Sequence, residues 1–278
     1  MARILLAGCG SIGIQLGLEL QAQGHEVFGL RRSAVELPFP RLQADLSQPI
    51  TAGLLPTQLD YVVHTGTPSE RSDAGYQAGY PEAVRNLLAA LSQPTLKRFF
   101  FVSSTAVYAQ DDGSKVDETS VTQPSRFNGT RVLEAEHLAL QSGHPATCIR
   151  FGGIYGPGRN WLIRRVQEGA TVQAEPAKYT NRIHQDDCVG VIHFLIDQAE
   201  RGMPLEPIYL AVDDDPADEA TVCHWLAQQL NAPTPTTAPG EPNAPQNKRC
   251  SNQLLRNAGY QFRYPSFREG YLGILQPN

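Results

Sequence analysis

Several features are missing from this chain of 278 residues, and each absence excludes a class of protein. No apolar stretch is long enough to span a bilayer, and glycines interrupt the first apolar run too early for the core of a signal peptide. There is no long run of like charge, and the net charge of −5 argues against a general electrostatic interaction with nucleic acid or an anionic membrane. We therefore expect a cytoplasmic protein with neither partner.

Closely spaced cysteines are missing too. The five cysteines stand at positions 9, 148, 188, 223 and 250, without a CxxC pair. This spacing predicts buried, reduced thiols rather than a disulfide framework, and we expect no metal site. What remains is an ordinary globular composition, with 41% hydrophobic and 18% charged residues and a length that suits one α/β unit with a smaller lobe.

Short apolar runs alternate with helical patterns over the first two thirds of the chain. The predicted strands are Ala2–Ala7, Val27–Leu30, Tyr61–Thr65, Phe99–Ser103 and Ala146–Phe151, and the predicted helices are Ile12–Gln23, Pro81–Leu91 and Val132–Gln141. Parallel strands need crossover connections, so this alternation predicts an α/β fold: a Rossmann-type, doubly wound parallel sheet.

The last third predicts a small C-terminal substrate lobe. It contains a predicted helix at Ala220–Leu230 and a loop rich in Pro, Thr, Ala and Asn at Ala232–Pro245. Its aromatic series is predicted to form the core of the lobe, or alternatively to stack on a ligand: Tyr260, Phe262, Tyr264, Phe267 and Tyr271. We predict a dinucleotide-binding domain over residues 1–157 and 183–212, and the lobe over 158–182 and 213–278.

A glycine motif follows the first predicted strand. Gly8, Gly10 and Gly13 form GxGxxG, with Ser11 and Ile12 between the last two, and the motif begins an amphipathic helix. Such a turn lets the backbone approach a pyrophosphate with no Cβ in the way, and the N-terminus of the helix offers N–H groups to the phosphates. The motif predicts dinucleotide binding.

The end of the second predicted strand indicates which dinucleotide is bound. An acidic residue there would bind the ribose 2′-hydroxyl of NAD, but this chain has Arg31 and Arg32. Two guanidinium groups suit a 2′-phosphate, although a solvent-exposed arginine pair is the alternative interpretation. We predict that NADP(H) is preferred over NAD(H).

Four later segments complete a resemblance to extended and atypical short-chain dehydrogenase/reductases, the NAD(P)-dependent epimerase/dehydratase family. They are FVSSTAVY at 101–108, similar to the family's SSxxVYG; DET at 117–119 followed by Pro124 and LEAE at 133–136; RFGGIYGPG at 150–158, similar to RxxxxYGPG; and IHQDD at 183–187, similar to (V/I)HVxD. With the glycine motif, the resemblance spans most of the chain.

The resemblance implies roles for further residues. Ser104 falls on the family's catalytic Ser/Thr, whose hydroxyl binds the substrate oxygen, although a capping or turn hydroxyl is the alternative. The remaining positions implied to contact the cofactor are Asp45 and Leu46 at the adenine, Thr65 and Gly66 at the phosphates and ribose, and also Ser103, Phe151 and Ile154.

The sequence departs from the family where the YxxxK pair should be. One alignment puts Asn128 and Val132 at the Tyr and Lys positions, and a shift of one residue puts Phe127 and Arg131 there. Neither supplies a phenol or an ammonium group, and Arg131 could replace only the positive charge and the ribose contact. Losing such an acid typically costs about 10²–10⁴ in rate. Tyr80, Tyr108 and Tyr155 are candidate replacements.

The motif at 183–187 departs as well. Epimerases of this family that act on sugar nucleotides commonly carry an arginine four residues before the motif histidine, and here that position is Thr180, with Arg182 closer to His184. This weakens a nucleotide-sugar assignment, and His184 is expected to be structural.

The sequence leaves two functions open. The leading hypothesis is an NADP(H)-dependent reductase or epimerase/dehydratase-like enzyme acting on an unidentified small molecule. The alternative is a catalytically impaired NADP(H)-binding sensor or regulatory protein. Relatives often dimerise through the helices that correspond to Pro81–Leu91 and Val132–Gln141, so a homodimer is one hypothesis, and burial of these helices against the protein's own sheet is the alternative.

Overall fold

The computed structural model describes residues 1–92, 96–173, 175–240 and 247–276. The strands are β1 (Arg3–Ala7), β2 (Glu26–Arg31), β3 (Arg41–Gln43), β4 (Tyr61–His64), β5 (Arg98–Ser104), β6 (Ser114–Val116), β7 (Ala146–Phe151), β8 (Gly153–Tyr155), β9 (Thr171–Gln173), β10 (Arg182–His184), β11 (Ile208–Ala211), β12 (Thr236–Ala238) and β13 (Lys248–Cys250). The helices are α1 (Ser11–Ala22), α2 (Asp73–Gln77), α3 (Ala83–Ala89), α4 (Phe127–Leu140), α5 (Trp161–Gln167), α6 (Gln185–Glu200), α7 (Glu219–Leu230), α8 (Gln253–Asn257) and α9 (Phe267–Leu275). A π-helical turn spans Ala78–Glu82, and a 3₁₀ turn spans Thr105–Val107.

A seven-stranded sheet has the order β11-β7-β5-β4-β1-β2-β3. The pairs β1–β2, β1–β4, β2–β3 and β4–β5 are all parallel. The chain winds outward from β1 to β3 and then returns to β4 on the other side of β1, so the strand order reverses between β1 and β4. In doubly wound sheets, ligands bind beside the carboxyl ends of the strands at such a reversal. The predicted Rossmann-type α/β fold is confirmed.

The five predicted strands and the predicted helices are present, but the sequence patterns missed other elements. β3 has only three residues, none of them buried, so it lacks the apolar run that marks the other strands. α4 begins at Phe127, five residues before the predicted start at Val132. The sequence pattern missed this first turn because it contains polar residues and a glycine, which are weak helix formers. The YxxxK segment therefore lies on the first turn of a helix.

Two glycines outside the phosphate motif lie against the ring of Phe39. A Cβ on Gly17 of α1 would lie 2.3 Å from the Phe39 ring, and one on Gly29 of β2 would lie 2.6 Å from it. Phe39 is buried, so its ring occupies the volume that both glycines leave open. These contacts pack α1 closely against β2 and help to position the turn that precedes α1.

The contacts divide the chain into two compact units. The first contains residues 1–107, 122–150 and 189–209, and the second contains 108–121, 151–188 and 210–278. The division predicted from the sequence, into 1–157 with 183–212 and 158–182 with 213–278, stays a prediction.

The second unit has its own core, as predicted from the aromatic series. Tyr260, Phe262, Phe267 and Tyr271 are buried, and the last two pack with α5 and α7. The predicted loop at 232–245 is wrong in part, because β12 lies within it and pairs in parallel with β9. Three residues of mixed polarity carry no strand pattern of their own, and the pairing comes from a distant segment. Residues 241–245 of that prediction lie outside the described residues.

All five cysteines are free and buried, as predicted. Within the described ranges, no helix has the length and apolar character needed to cross a membrane.

Candidate functional site

The turn after β1 is shaped by Gly8. Its φ of +86° lies in the left-handed region, and a Cβ at this position would lie 2.3 Å from the backbone of Gly66, which follows β4. The Gly8 N–H donates to the carbonyl of Leu30 at 2.9 Å, and the Thr65 hydroxyl donates to the Gly8 carbonyl at 3.1 Å. The ends of β1, β2 and β4 thus meet at one backbone turn.

Gly10 serves a different purpose, because a Cβ there would have open space around it. It precedes α1, whose first intrahelical bond runs from the Ile14 N–H to the Gly10 carbonyl at 2.8 Å, and no side chain caps this end of the helix. The first turn, Ser11 to Gly13, therefore presents the positive end of the helix dipole. A Cβ on Gly13 would lie 3.3 Å from both Cys9 Sγ and Thr65 Oγ1, so this glycine allows close packing.

A cleft of about 360 Å³ opens beside this turn. Of the residues predicted to bind a cofactor, those that line it are Gly8, Gly10, Arg31, Arg32, Asp45, Leu46 and Gly66. The absence of Cβ atoms at Gly8 and Gly10, together with the helix N-terminus, fits the diphosphate of a dinucleotide.

The arginine pair stands at one end of the cleft. Arg31 Nε donates to the Ser33 hydroxyl at 2.8 Å. Arg32 Nη1 lies 3.8 Å from Asp45 Oδ2, and the side chains of Arg32 and Asp45 are both exposed. An exposed ion pair at this distance contributes little stability, so it competes weakly with a bound anion. The carboxylate of Asp45 also accepts hydrogen bonds from Ser47, which lower its pKa below the ordinary value.

A buried ion pair ties β7 to α4, and a hydrogen bond to the same carboxylate ties the end of β5 to α4. Arg150 donates to Glu136 through Nε at 2.9 Å and Nη2 at 2.7 Å, and the Ser103 hydroxyl donates to the same carboxylate at 2.5 Å. The predicted contact of Ser103 with the cofactor stays a prediction. Ser104, the predicted catalytic serine, is half-buried, and its hydroxyl accepts a hydrogen bond from the Ala106 N–H at 3.2 Å.

The guanidinium group of Arg131 is held by two carboxylates. Its Nε and Nη2 donate to Asp73 at 2.7 and 3.0 Å, and its Nη1 donates to Glu134 at 3.1 Å. These bonds raise the pKa of Arg131 above its usual range. To replace the family's lysine at the ribose, Arg131 would therefore have to give up hydrogen bonds to Asp73 or Glu134.

The first turn of α4 has an inner and an outer face. Val132 is buried and Asn128 is half-buried, whereas Phe127 is 43% exposed. A Cβ on Gly129 would lie 2.3 Å from the Ala106 carbonyl oxygen, so this glycine lets α4 approach the turn after β5.

Aromatic rings continue from Phe127 towards the sheet. Phe127 meets Tyr76 edge to face at 5.5 Å, Tyr76 lies 5.6 Å from Tyr80, and Tyr80 meets Phe101 of β5 edge to face at 6.1 Å. Tyr80 stands on the π-helical turn, and such turns are frequent at functional sites.

The remaining predicted positions lie in the second unit. Phe151 is buried at the end of β7, and Ile154 of β8 pairs with Ile183 of β10. His184 accepts a hydrogen bond from the Asp186 N–H at 3.2 Å, and burial lowers its pKa, which agrees with the structural role predicted for it.

Several buried polar groups had not been predicted to matter. Lys248 donates to the Tyr108 carbonyl at 3.2 Å, and burial lowers the pKa of its ammonium group. Asp187 binds the aromatic tail through the Tyr260 hydroxyl at 2.8 Å and two backbone N–H groups. His64, at the end of β4, is buried with no hydrogen-bond partner for either ring nitrogen among the described residues. The sequence gives no sign that a single histidine at the end of a strand will be buried in this way.

The profile of the NAD dependent epimerase/dehydratase family matches residues 4–210, which include the glycine turn, the arginine pair and α4. The chain belongs to this family. Its members bind NAD(P), and the cradle at Gly8 and Gly10 fits such a cofactor.

The chain is also similar to individual proteins. Protein YeeZ of Escherichia coli is 30% identical over 217 residues, which cover 73% of this chain and 75% of YeeZ. A solved structure described as an NAD-dependent epimerase/dehydratase from Methylobacillus flagellatus is 38% identical, covers 99% of this chain and 97% of its own, and has a TM-score of 0.82. The 3-diazoavenalumate denitrifying reductase of a Streptomyces species is 26% identical and covers 96% of this chain and 98% of its own.

Proposed function

We propose that this protein is an NADP(H)-dependent enzyme that reduces a small molecule, or carries out epimerase/dehydratase-type chemistry on one, in the cytoplasm. The observation that carries the proposal is the pair Arg31 and Arg32 lining the cofactor cleft where an acidic residue would select NAD. The Streptomyces relative, which is named as a reductase and matches nearly the whole chain, supports the reductive direction.

The geometry of the arginine pair supports binding of a 2′-phosphate. Among the described residues, the guanidinium group of Arg31 has a hydrogen bond only to Ser33, and that of Arg32 has only its long contact with Asp45. Charge-assisted bonds from a guanidinium group to a phosphate are about twice as strong as neutral ones. With NAD instead, no carboxylate from β2 would accept the ribose 2′-hydroxyl.

The other residues of the site would each bind one part of the cofactor or the substrate. The glycine turn and the first turn of α1 hold the diphosphate, and Asp45 with Leu46 borders the adenine. When bound, NADPH supplies a hydride. Ser104 donates a hydrogen bond to the substrate oxygen, since its hydroxyl proton is not needed for the bond that it accepts from Ala106.

The test is a parallel titration of the purified protein with NADPH and NADH, followed by fluorescence or calorimetry. We expect NADPH to bind at least about tenfold more tightly, which corresponds to about 1.4 kcal/mol. R31D and R32D should each remove most of this preference. The matched control is R201D, which makes the same charge change at an exposed arginine that is not among the residues lining the cleft. Equal or tighter binding of NADH by the unmodified protein would contradict the proposal.

A second candidate, the sensor or regulatory protein, is favoured by one observation. The first turn of α4 supplies no phenol or ammonium group, and Arg131 is bound by Asp73 and Glu134. Tight NADPH binding without reduction of any carbonyl compound, together with a protein partner whose affinity depends on the cofactor's redox state, would support this function instead.

The homodimer stays a prediction. The buried apolar residues of α3 and α4 already pack within a single chain, and Phe127 is the one large hydrophobic side chain of these two helices that is strongly exposed in the described structure. Light scattering at micromolar concentration would test it, because a mass of 30.4 kDa is that of a monomer.

A further inference from the structure

We propose that Tyr80 is the catalytic proton donor, and that its phenol replaces the one missing from the first turn of α4. This inference rests on the proposed reductase function and adds the acid that the reaction needs. It is argued from the hydrogen bonds of the other tyrosines, from the aromatic contacts around Tyr80 and from the chemistry of carbonyl reduction.

The other candidate phenols are already in use. The Tyr108 hydroxyl donates to the Asp117 carbonyl at 2.8 Å, and the Tyr155 hydroxyl lies against the Ser266 carbonyl at 3.5 Å. Both of those side chains are buried. In the first unit, Tyr61 donates to Glu200 at 2.7 Å. A phenol held by such a bond would have to break it before it could donate a proton to a substrate.

Tyr80 has no such commitment. Within the described parts of the chain, its hydroxyl makes no hydrogen bond, although its ring is well packed between Tyr76 and Phe101. The ring is therefore fixed in position while the hydroxyl remains available. A half-buried phenol that is rigid and unbonded is the state expected of a donor waiting for a ligand oxygen.

Tyr80 lies beside residues that line the cofactor cleft and packs against β5. Its neighbours Ala78 and Gly79 line the cofactor cleft. Its ring contacts Phe101, three residues before Ser104 on β5. Tyr76, the other unbonded phenol of this region, contacts Phe127 on the exposed face of α4 instead. Of the two unbonded phenols, Tyr80 is thus the one packed against the strand that carries the predicted catalytic serine.

The chemistry needs an acid that is protonated at neutral pH. A phenol is protonated at neutral pH, and burial, with a smaller effect of Tyr76, raises the pKa of Tyr80 further. The oxygen of the reduced carbonyl is an alkoxide, which is more basic than a phenolate, so it can still take the proton from Tyr80. A hydride adds to the carbonyl carbon and the C=O π electrons move to the oxygen. That oxygen takes the Tyr80 proton and becomes a hydroxyl, and the phenolate regains a proton from water.

The kinetic test compares Y80F with Y76F, which removes the neighbouring phenol in the same way. The substrate probe is 9,10-phenanthrenequinone with NADPH, and each variant is also titrated with NADPH. We expect Y80F to lower kcat by about 10²-fold or more and Y76F to change it by less than about threefold, with similar NADPH affinity in both. Equal activity of Y80F and the unmodified protein would overturn the inference.

A spectroscopic test does not depend on turnover. Protein labelled with 3-fluorotyrosine is studied by ¹⁹F NMR, and the resonances of positions 80 and 76 are assigned by their loss in Y80F and Y76F. Isobutyramide serves as an unreactive carbonyl probe. We expect the Tyr80 resonance to shift when isobutyramide is added to the NADPH complex, and the Tyr76 resonance to shift less. A shift at other tyrosines but not at Tyr80 would overturn the inference, whereas failure to bind NADPH would contradict the proposed function.

Discussion

At the end of β1, backbone N–H groups and unfilled space are available to a cofactor. At the start of α4, by contrast, the side chains already bind or pack against neighbouring side chains. Gly8 and Gly10 leave the space beside the first turn of α1 open. On α4, Arg131 is paired with Asp73, and Phe127 packs against Tyr76. The two regions belong to the same unit and border the same sheet.

The difference shows which parts of a family site survive substitution. A cradle built from backbone depends on glycine alone, and any side chain at Gly8 would destroy it. A catalytic group carried by a side chain can be replaced while the helix stays in place, because α4 is held by Gly129 and by the buried Glu136. The cofactor end therefore keeps its family form while the chemistry at the other end is free to change.

The largest expected effect is on the link between α4 and the sheet. E136A should lower the free energy of unfolding by about 3–5 kcal/mol, because it leaves Arg150 buried without its partner and removes the acceptor for Ser103. Chemical denaturation measures this loss. E134A is the matched control on the same helix, and it removes a partly exposed partner of Arg131. Similar losses in the two variants would show that α4 is not held by this buried pair.

A smaller loss of stability is expected at the phosphate turn. G8A should cost about 2–4 kcal/mol, since the new Cβ meets the Gly66 backbone and the residue must keep a left-handed φ. It should also abolish measurable NADPH binding. G53A has a comparable positive φ with no atom near the new Cβ, so it isolates the backbone strain from the clash. Equal destabilisation by the two variants would contradict the close contact.

Gly10 separates binding from folding. G10A should weaken NADPH binding by about tenfold or more, because its Cβ would occupy the space needed by the diphosphate. Its Tm should stay close to that of the unmodified protein, since nothing in the described structure blocks the new Cβ. Unchanged NADPH affinity in calorimetry would mean that the diphosphate does not lie against this turn.

The smallest effect is expected at Arg131. R131L should change the NADPH dissociation constant by less than about twofold and leave the Tm nearly unchanged, because the guanidinium group forms a surface ion pair. D73L, which removes the partner, is the matched control. A large loss of NADPH affinity in R131L but not in D73L would restore Arg131 as a ribose-binding residue.

The sequence predicted the elements that have a strong local signal. The glycine motif and the long apolar runs identified β1, α1, β4 and β5, because a buried parallel strand must be apolar along its whole length. The short strands β3 and β12 had no such signal, since their pairing depends on distant segments. The same limit applies to the bond between Ser103 and Glu136, which joins residues 33 positions apart and has no local signal in the sequence.

Local chemistry in the sequence determined the fold class, the family and the diphosphate cradle, because each depends on residue types at fixed spacing. Only the tertiary structure decided which side chains remain available for chemistry. Tyr80, Tyr108 and Tyr155 are equivalent candidates in the sequence, yet the Tyr108 hydroxyl binds the Asp117 carbonyl and the Tyr155 hydroxyl lies against the Ser266 carbonyl, 111 residues along the chain. Hydrogen bonds between distant residues depend on how the elements pack, and no spacing in the sequence records them.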